Sequence, residues 1–275
     1  MKLATIRTPD GTRAVRVDAD HLIDLGAADL GDFLARDDWA DAAAAASAVI
    51  GSASDAEYAT LIGHPSKVVC VGLNYATHIT EMGRPLPEHP TLFPKFADTL
   101  IGAHDPIVRP EETQEFDWEA ELVVVIGKPV RRASGAEAEA AIAGFTVMND
   151  ITCRDWQFRT REWTQGKNFD STTPVGPVLV TPDEVGGVRP ALAISTEVDG
   201  QTMQSDTTGD LVFDPVALVE YVSTMIRLNP GDLIASGTPG GVGHARKPPV
   251  YLAAGQTVTC TIEGIGSVSN EVVAG

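Results

Sequence analysis

The chain has 275 residues, enough to bury a substantial core in one large domain or in a main domain with a smaller companion. Its 38 Asp and Glu against 20 Lys and Arg give a formal net charge of −18, which argues against nucleic acid or an anionic membrane as partner, since either polyanion would be repelled. Three cysteines, Cys70, Cys153 and Cys260, without CxxC or Cys/His spacing, indicate neither a disulfide framework nor a structural zinc site, and a reducing cytoplasm is the expected home.

The first residues, MKLATIRTPDG, turn polar quickly and lack the apolar core of a signal peptide. Lys2–Arg7 and Thr12–Val17 read as strands around a turn at Pro9–Gly11, and helical patterns follow at Leu30–Ala35 and Trp39–Ile50. The Ala-rich tract ending at Ile50 falls far short of the roughly 20 residues that span a bilayer. Residues 1–65 are expected to form a small N-terminal α/β domain, and residues 66–275 the main one.

At Lys67 the texture changes. VVCVG is a short buried-strand pattern, and Asn74–Gly83 reads as a short helix with Asn74 as N-cap and Gly83 as its stop. His78 and Glu81, three apart, share a helical face, where a carboxylate can hold an imidazole in one tautomer and raise its basicity. RPLPEHP, which follows, has the composition of a lid.

EFDWEAELVVVIG, Glu115–Gly127, runs three acids into a buried strand. Alternation places Asp117, Glu119 and Glu121 on one face, about 7 Å apart, and their repulsion disfavours ionising all three unless a cation compensates. FTVMNDIT adds Asp150 at the end of a second apolar strand. Carboxylate oxygens without histidine suit a hard cation, so Mg2+ or Mn2+ is expected, with Ca2+ an alternative. Helical patterns at Ala136–Ala143 and Asp214–Leu228, the latter opening on an Asp-Pro cap, interrupt further strands at GPVLVTP, LAISTEV, DLIASG and TVTCTIEG. Without strict βα alternation, this predicts an α+β, mostly β main domain. Two loops are unusual: GKNFDSTTPVGP isolates Lys167, and ASGTPGGVG could bring backbone amides near an anion, without the order of a nucleotide loop.

Taken in order, VGLNYATHITEMG, FDWEAELVVVIG, MNDITCRDWQ, GKNFDSTTPVGP and ASGTPGGVG resemble the fumarylacetoacetate hydrolase family over about residues 66–275. The resemblance implies a mixed β-roll, a homodimer, and a divalent metal held by Glu119, Glu121 and Asp150. It also implies a catalytic pair His78 and Glu81, a catalytic and substrate-binding Lys167, and substrate contacts from Arg154, Gln157 and Thr238. Asp117 receives no ligand role, and Phe96 stands where the family often places proline, leaving Lys95 without an assigned one. The implied reaction is hydrolysis of a carbon–carbon bond in an acylpyruvate-type 2-oxo or 1,3-dioxo acid, such as a fumarylpyruvate-like ring-cleavage product. Oxaloacetate decarboxylases, 2-oxo-heptenedioate isomerase/decarboxylases and hydratases share the metal–enolate chemistry. A metal-stabilised binding domain without catalysis is the reading from another class, against which the His78/Glu81 pair speaks.

Overall fold

The computed structural model describes residues 1–275 apart from Met82 and Arg84, and for His78 and Glu81 it describes the backbone alone. Strands β1 (Lys2–Thr8) and β2 (Gly11–Asp18) form the expected hairpin, with Thr8 opposite Gly11. Then come β3 (His21–Asp24), α1 (Leu30–Leu34), α2 (Trp39–Ala45) and β4 (Val49–Ser52). The second helix is shorter than the sequence suggests. Ala46 turns to extended backbone, and Val49, β-branched, pairs with Ile23 of β3 instead.

The chain continues through β5 (Val68–Gly72), α3 (Ala76–Glu81), β6 (Thr91–Lys95), β7 (Leu100–Ile101) and β8 (Ile107–Arg109). Next are β9 (Phe116–Asp117), β10 (Ala120–Ile126), α4 (Ala136–Ala141), β11 (Ile142–Asn149), β12 (Thr152–Cys153), α5 (Arg154–Gln157) and α6 (Thr164–Lys167). The remainder is β13 (Thr173–Val180), β14 (Ala193–Val198), β15 (Gln201–Thr207), α7 (Pro215–Met225), β16 (Leu233–Ala235), β17 (Thr257–Ile262) and β18 (Gly266–Ala274). The cap of α7 is as expected: the Asp214 carboxylate accepts from the backbone N–H of Val216 and Ala217.

The fold is mostly β with mixed sheets. Among the described residues, one 11-stranded sheet runs β4-β3-β2-β1-β13-β11-β10-β16-β5-β6, with β7 paired to β13; a 5-stranded sheet runs β15-β14-β17-β18-β8. Strand β1 pairs with β13, so the first strands extend the large sheet, while none of the site side chains described below comes from residues 1–65. Strand β10 is buried on both sides, which is why its sequence is a continuous apolar run. Leu122, Val124 and Ile126 pack with Val216, Leu218 and Val222 of α7; Val123 and Val125 pack in a second core with Leu30, Phe33 and Trp39. A third core holds Phe116, Trp118, Ile151, Cys153 and Val258. Among the described residues, no helix is long and apolar enough to cross a membrane.

Candidate metal centre

Strands β10 and β11 are antiparallel with Ala120 opposite Asn149 and Glu121 opposite Met148. One step beyond the pairing, Glu119 stands across from Asp150: the Asp150 N–H donates to the Glu119 carbonyl at 2.8 Å, and the Asn149 side-chain oxygen accepts from the Glu119 N–H at 2.9 Å. One carboxylate oxygen from each of Glu119, Glu121 and Asp150 lies within 4.8 Å of the other two. Exposure falls from 7 % for Glu119 to 1 % for Glu121 and 0 % for Asp150, so Glu119 is the member that keeps some access to solvent.

Asp117 does not join them. The expectation of three acids on one strand face fails because the strand is interrupted at Trp118 and Glu119: Asp117 belongs to β9, which pairs with β12 rather than β11. Its carboxylate is wholly buried and accepts from the N–H groups of Trp118, Gly243 and His244 and from Arg154 Nε at 2.8 Å. A Cβ on Gly243 would lie 1.9 Å from the Val250 carbonyl and 2.8 Å from Asp117 Oδ1, so only glycine lets this loop close on the acid. Asp117 is therefore an anchor for the loop and for Arg154.

Three buried cations face the acids. Lys167 Nζ lies 2.8 Å from Glu119 Oε2 and 2.7 Å from Asp150 Oδ2. Arg154 bridges Asp117 to Glu119, with Nη2 2.7 Å from Glu119 Oε1, and its Nη1 donates to Gln157 Oε1 at 2.9 Å. Lys95, for which the sequence suggested no role, is 2 % exposed and sits 3.0 Å from Asp150 Oδ1, with further bonds to the carbonyls of Lys167 and Ile151. Lys167 reaches this position because α6 packs tightly on α5: a Cβ on Gly166 would lie 2.5 Å from both the Cys153 carbonyl and the Gln157 nitrogen.

Burial pushes the Glu121 carboxyl well above the ordinary carboxylate range, and the neighbouring charges of Asp150 and Glu119 push it further. Burial acts the same way on Asp150, but Lys167 and Lys95 outweigh it and hold Asp150 below its ordinary value. Lys167 and Arg154 lose something to burial and gain more from their acids, so both are held more firmly protonated than usual. Burial pushes the Cys153 thiol up to about 12.

The structure brings together Glu119, Glu121, Asp150, Lys167, Arg154 and Gln157. Arg154 is engaged by three protein side chains. Thr238, half-buried, accepts from Gln204 Nε2 at 2.8 Å, and the preceding Gly237 N–H donates to Glu121 Oε2 at 2.8 Å. The backbone of His78 and Glu81 lies in α3; their side chains, and with them the geometry of the expected pair, lie outside the described residues. Asn74 is not the cap of that helix. Its side chain bonds to Phe213 and Ser236, while the first-turn N–H of Thr77 is taken by Asp210 Oδ2 at 2.8 Å. Gly83, with φ of 67°, stops the helix as expected, its N–H on the Thr80 carbonyl.

The donor set fits a hard divalent cation. All three candidate ligands are carboxylates, and Asp150 Oδ1, though close to Lys95 Nζ, has no well-directed hydrogen bond among the described residues. Charge agrees: Asp117, Glu119, Glu121 and Asp150 exceed Lys95, Arg154 and Lys167 by one negative charge when all are ionised. A divalent ion turns that into one positive charge, suited to an anionic substrate.

Residues 67–273 match the model of the family described as fumarylacetoacetate (FAA) hydrolase, C-terminal. A Bos taurus protein named oxaloacetate tautomerase FAHD2A, mitochondrial, is 46% identical over 222 residues, covering 80% of this chain and 70% of its own. The solved structure of a fumarylacetoacetate hydrolase from Exiguobacterium antarcticum superposes with a TM-score of 0.87 at 33% identity, covering 100% of both chains. That of a 5-carboxymethyl-2-hydroxymuconate delta-isomerase from Mycobacterium smegmatis does so at 0.83 and 32% identity, again over 100% of both.

Proposed function

Since the chain belongs to the fumarylacetoacetate hydrolase family and is an enzyme of it, we propose that it moves a proton beside the ketone of a short 2-oxo dicarboxylic acid, interconverting keto and enol forms of an oxaloacetate-like substrate with the help of Mg2+ or Mn2+. The observation that carries this reading is the 46% identity to an oxaloacetate tautomerase across the region that holds the carboxylate triad. Glu119, Glu121 and Asp150 would hold the metal. Bound there, a divalent cation supplies Lewis-acid stabilisation of negative charge developing on the 2-oxo oxygen.

The chain's own residues do the rest. His78, oriented by Glu81, takes the proton from the carbon next to the ketone; the electrons of that C–H bond form the C=C bond, the C=O π electrons move to the oxygen, and that oxygen takes a proton back from the His78 imidazolium, which restores the base. Lys167, kept protonated by Glu119 and Asp150, holds positive charge where the enolate oxygen develops. Arg154 and Lys95 keep the acids in place: Arg154 fixes Glu119 against Asp117, and Lys95 fixes Asp150. Gln157, whose oxygen is taken by Arg154, and Thr238 are left to contact substrate through the amide and hydroxyl. A second reading, hydrolysis of a carbon–carbon bond in an acylpyruvate, is favoured by the His78/Glu81 pattern, which can also activate water, and by likeness to a fumarylacetoacetate hydrolase structure.

Decay of the enol absorbance of oxaloacetate, run beside a panel of acylpyruvates with Mg2+, Mn2+ or EDTA, tests both. We expect faster enol–keto interconversion with metal, no acceleration over the uncatalysed rate with EDTA, and a loss of about 10²–10⁴-fold in His78→Ala with metal still bound. No acceleration on any 2-oxo acid with either ion refutes the proposal.

A further inference from the structure

The Ser236–Gly237 peptide stands between the carboxylate triad and helix α3. Its N–H donates to Glu121 Oε2 at 2.8 Å, and its C=O accepts from Asn74 Nδ2, also at 2.8 Å. A peptide unit is planar, so a shift at one of these bonds moves the other. There is no slack around it: Gly237 has φ of +102°, and a Cβ there would lie 2.9 Å from the Val71 carbonyl and 3.1 Å from Asn74 Cβ.

Asn74 is 1 % exposed and its remaining polar capacity is committed to Phe213, with Nδ2 donating to that residue's carbonyl at 3.0 Å and Oδ1 accepting from its N–H at 2.8 Å. Helix α3 starts two residues later. Tyr75 and Ile79, buried and four apart, seat the segment against the body of the protein, and Tyr75 forms a bridge with Leu211. The Thr77 hydroxyl donates to Asp210 Oδ2 at 2.7 Å, and the Thr77 N–H takes the same oxygen. The origin of the helix carrying His78 and Glu81 is thus fixed by a side chain that grips the peptide held by Glu121.

We propose that Asn74 is a positioning residue that couples Glu121 to helix α3, so that the cation affinity of the triad and the seating of the helix are set together through the Ser236–Gly237 peptide. This rests on the reading of the triad as a metal site and of α3 as the carrier of the base. Asn74 acts through those two groups and touches no reacting atom. Removing its amide N–H groups frees the peptide, and with it one of the bonds that hold Glu121 in place.

The test measures Mg2+ binding by calorimetry and amide hydrogen exchange across residues 74–83, with and without Mg2+, in the wild type, Asn74→Asp and Asn74→Ser. Asn74→Asp keeps the shape but offers no N–H, and Asn74→Ser, whose hydroxyl is one bond too short to reach the Ser236 carbonyl, serves should the first variant fail to fold. In the wild type, Mg2+ should slow exchange in 74–83. In the variants, affinity should fall about 10- to 100-fold, the usual cost of losing a partner behind a metal ligand, and Mg2+ should no longer slow exchange there. A folded variant with wild-type affinity and wild-type Mg2+-linked protection overturns the proposal, as does a wild type that binds Mg2+ without any change in 74–83. A wild type that binds neither Mg2+ nor Mn2+ overturns the metal reading itself, and the coupling with it.

Discussion

The outer strands β1–β4 and the central pair β10–β11 belong to the same sheet and treat charge in opposite ways. At the outer strands an ion pair stays in water: Arg13 and Asp24 pair at 3.0 Å with side chains 43% and 22% exposed, above a core of Leu3, Ala14 and Val15. At the central pair Lys167, Asp150 and Glu119 meet with side chains 1%, 0% and 9% exposed. An exposed pair is screened and its members are nearly independent; a buried pair is a unit, because each ion relies on the other for what water no longer supplies. The large sheet therefore has one region that tolerates substitution and one in which the charges form a single object.

The sharpest way to break this contrast is Lys167→Met. Losing the ammonium between Glu119 and Asp150 should cost the metal-free protein about 3–5 kcal/mol of unfolding free energy, with part of it restored by saturating Mg2+. Urea titration with and without the ion measures it, and a loss as small as that of a surface pair would erase the distinction. The effect of pH comes next. The folded protein keeps a proton on Glu121 that the unfolded chain releases near the ordinary value of 4.5, so metal-free stability should fall as pH rises from there towards the raised folded value. Asp150 works the other way, its contribution present above 3.8 and lost as pH falls through its lowered folded value. Thermal melts in EDTA should show the alkaline-side decline in wild type and a flatter profile in Glu121→Gln. The smallest effect belongs to Arg13→Ala, about 0–1 kcal/mol and shrinking with salt; a loss comparable to Lys167→Met would place both regions in one class.

The contrast also governs what the sequence could reveal. Glu119, Glu121 and Asp150 were legible because acids in apolar strands break a pattern, and the strands that carry them are among the clearest periodic segments. Lys95 was not. It ends an ordinary edge-strand pattern, and what makes it unusual, Asp150, lies 55 residues further on and is met only in space. Asn74 misled for a similar reason: before a helical pattern an asparagine reads as a cap, yet its partners Phe213 and Ser236 are 139 and 162 residues away. The break after Asp117 was hidden because alternation assumes an uninterrupted strand, and only the pairing of β9 with β12 shows that two short strands meet there. The early end of α2 was hidden by its alanines, which favour helix until β3 offers Val49 a partner.

The register of β10 against β11 has a consequence for folding. A slip by one residue would turn every side chain of β11 to the opposite face and set Glu119 across from Asn149 or Ile151. An all-apolar pair of strands has little to distinguish neighbouring alignments, since valine against valine is nearly as good one step along. Here a misaligned pair leaves Glu119 and Asp150 each in the interior without Lys167 between them, an arrangement far costlier than a poor apolar contact. The acid cluster thereby proofreads the strand pairing on which it is built.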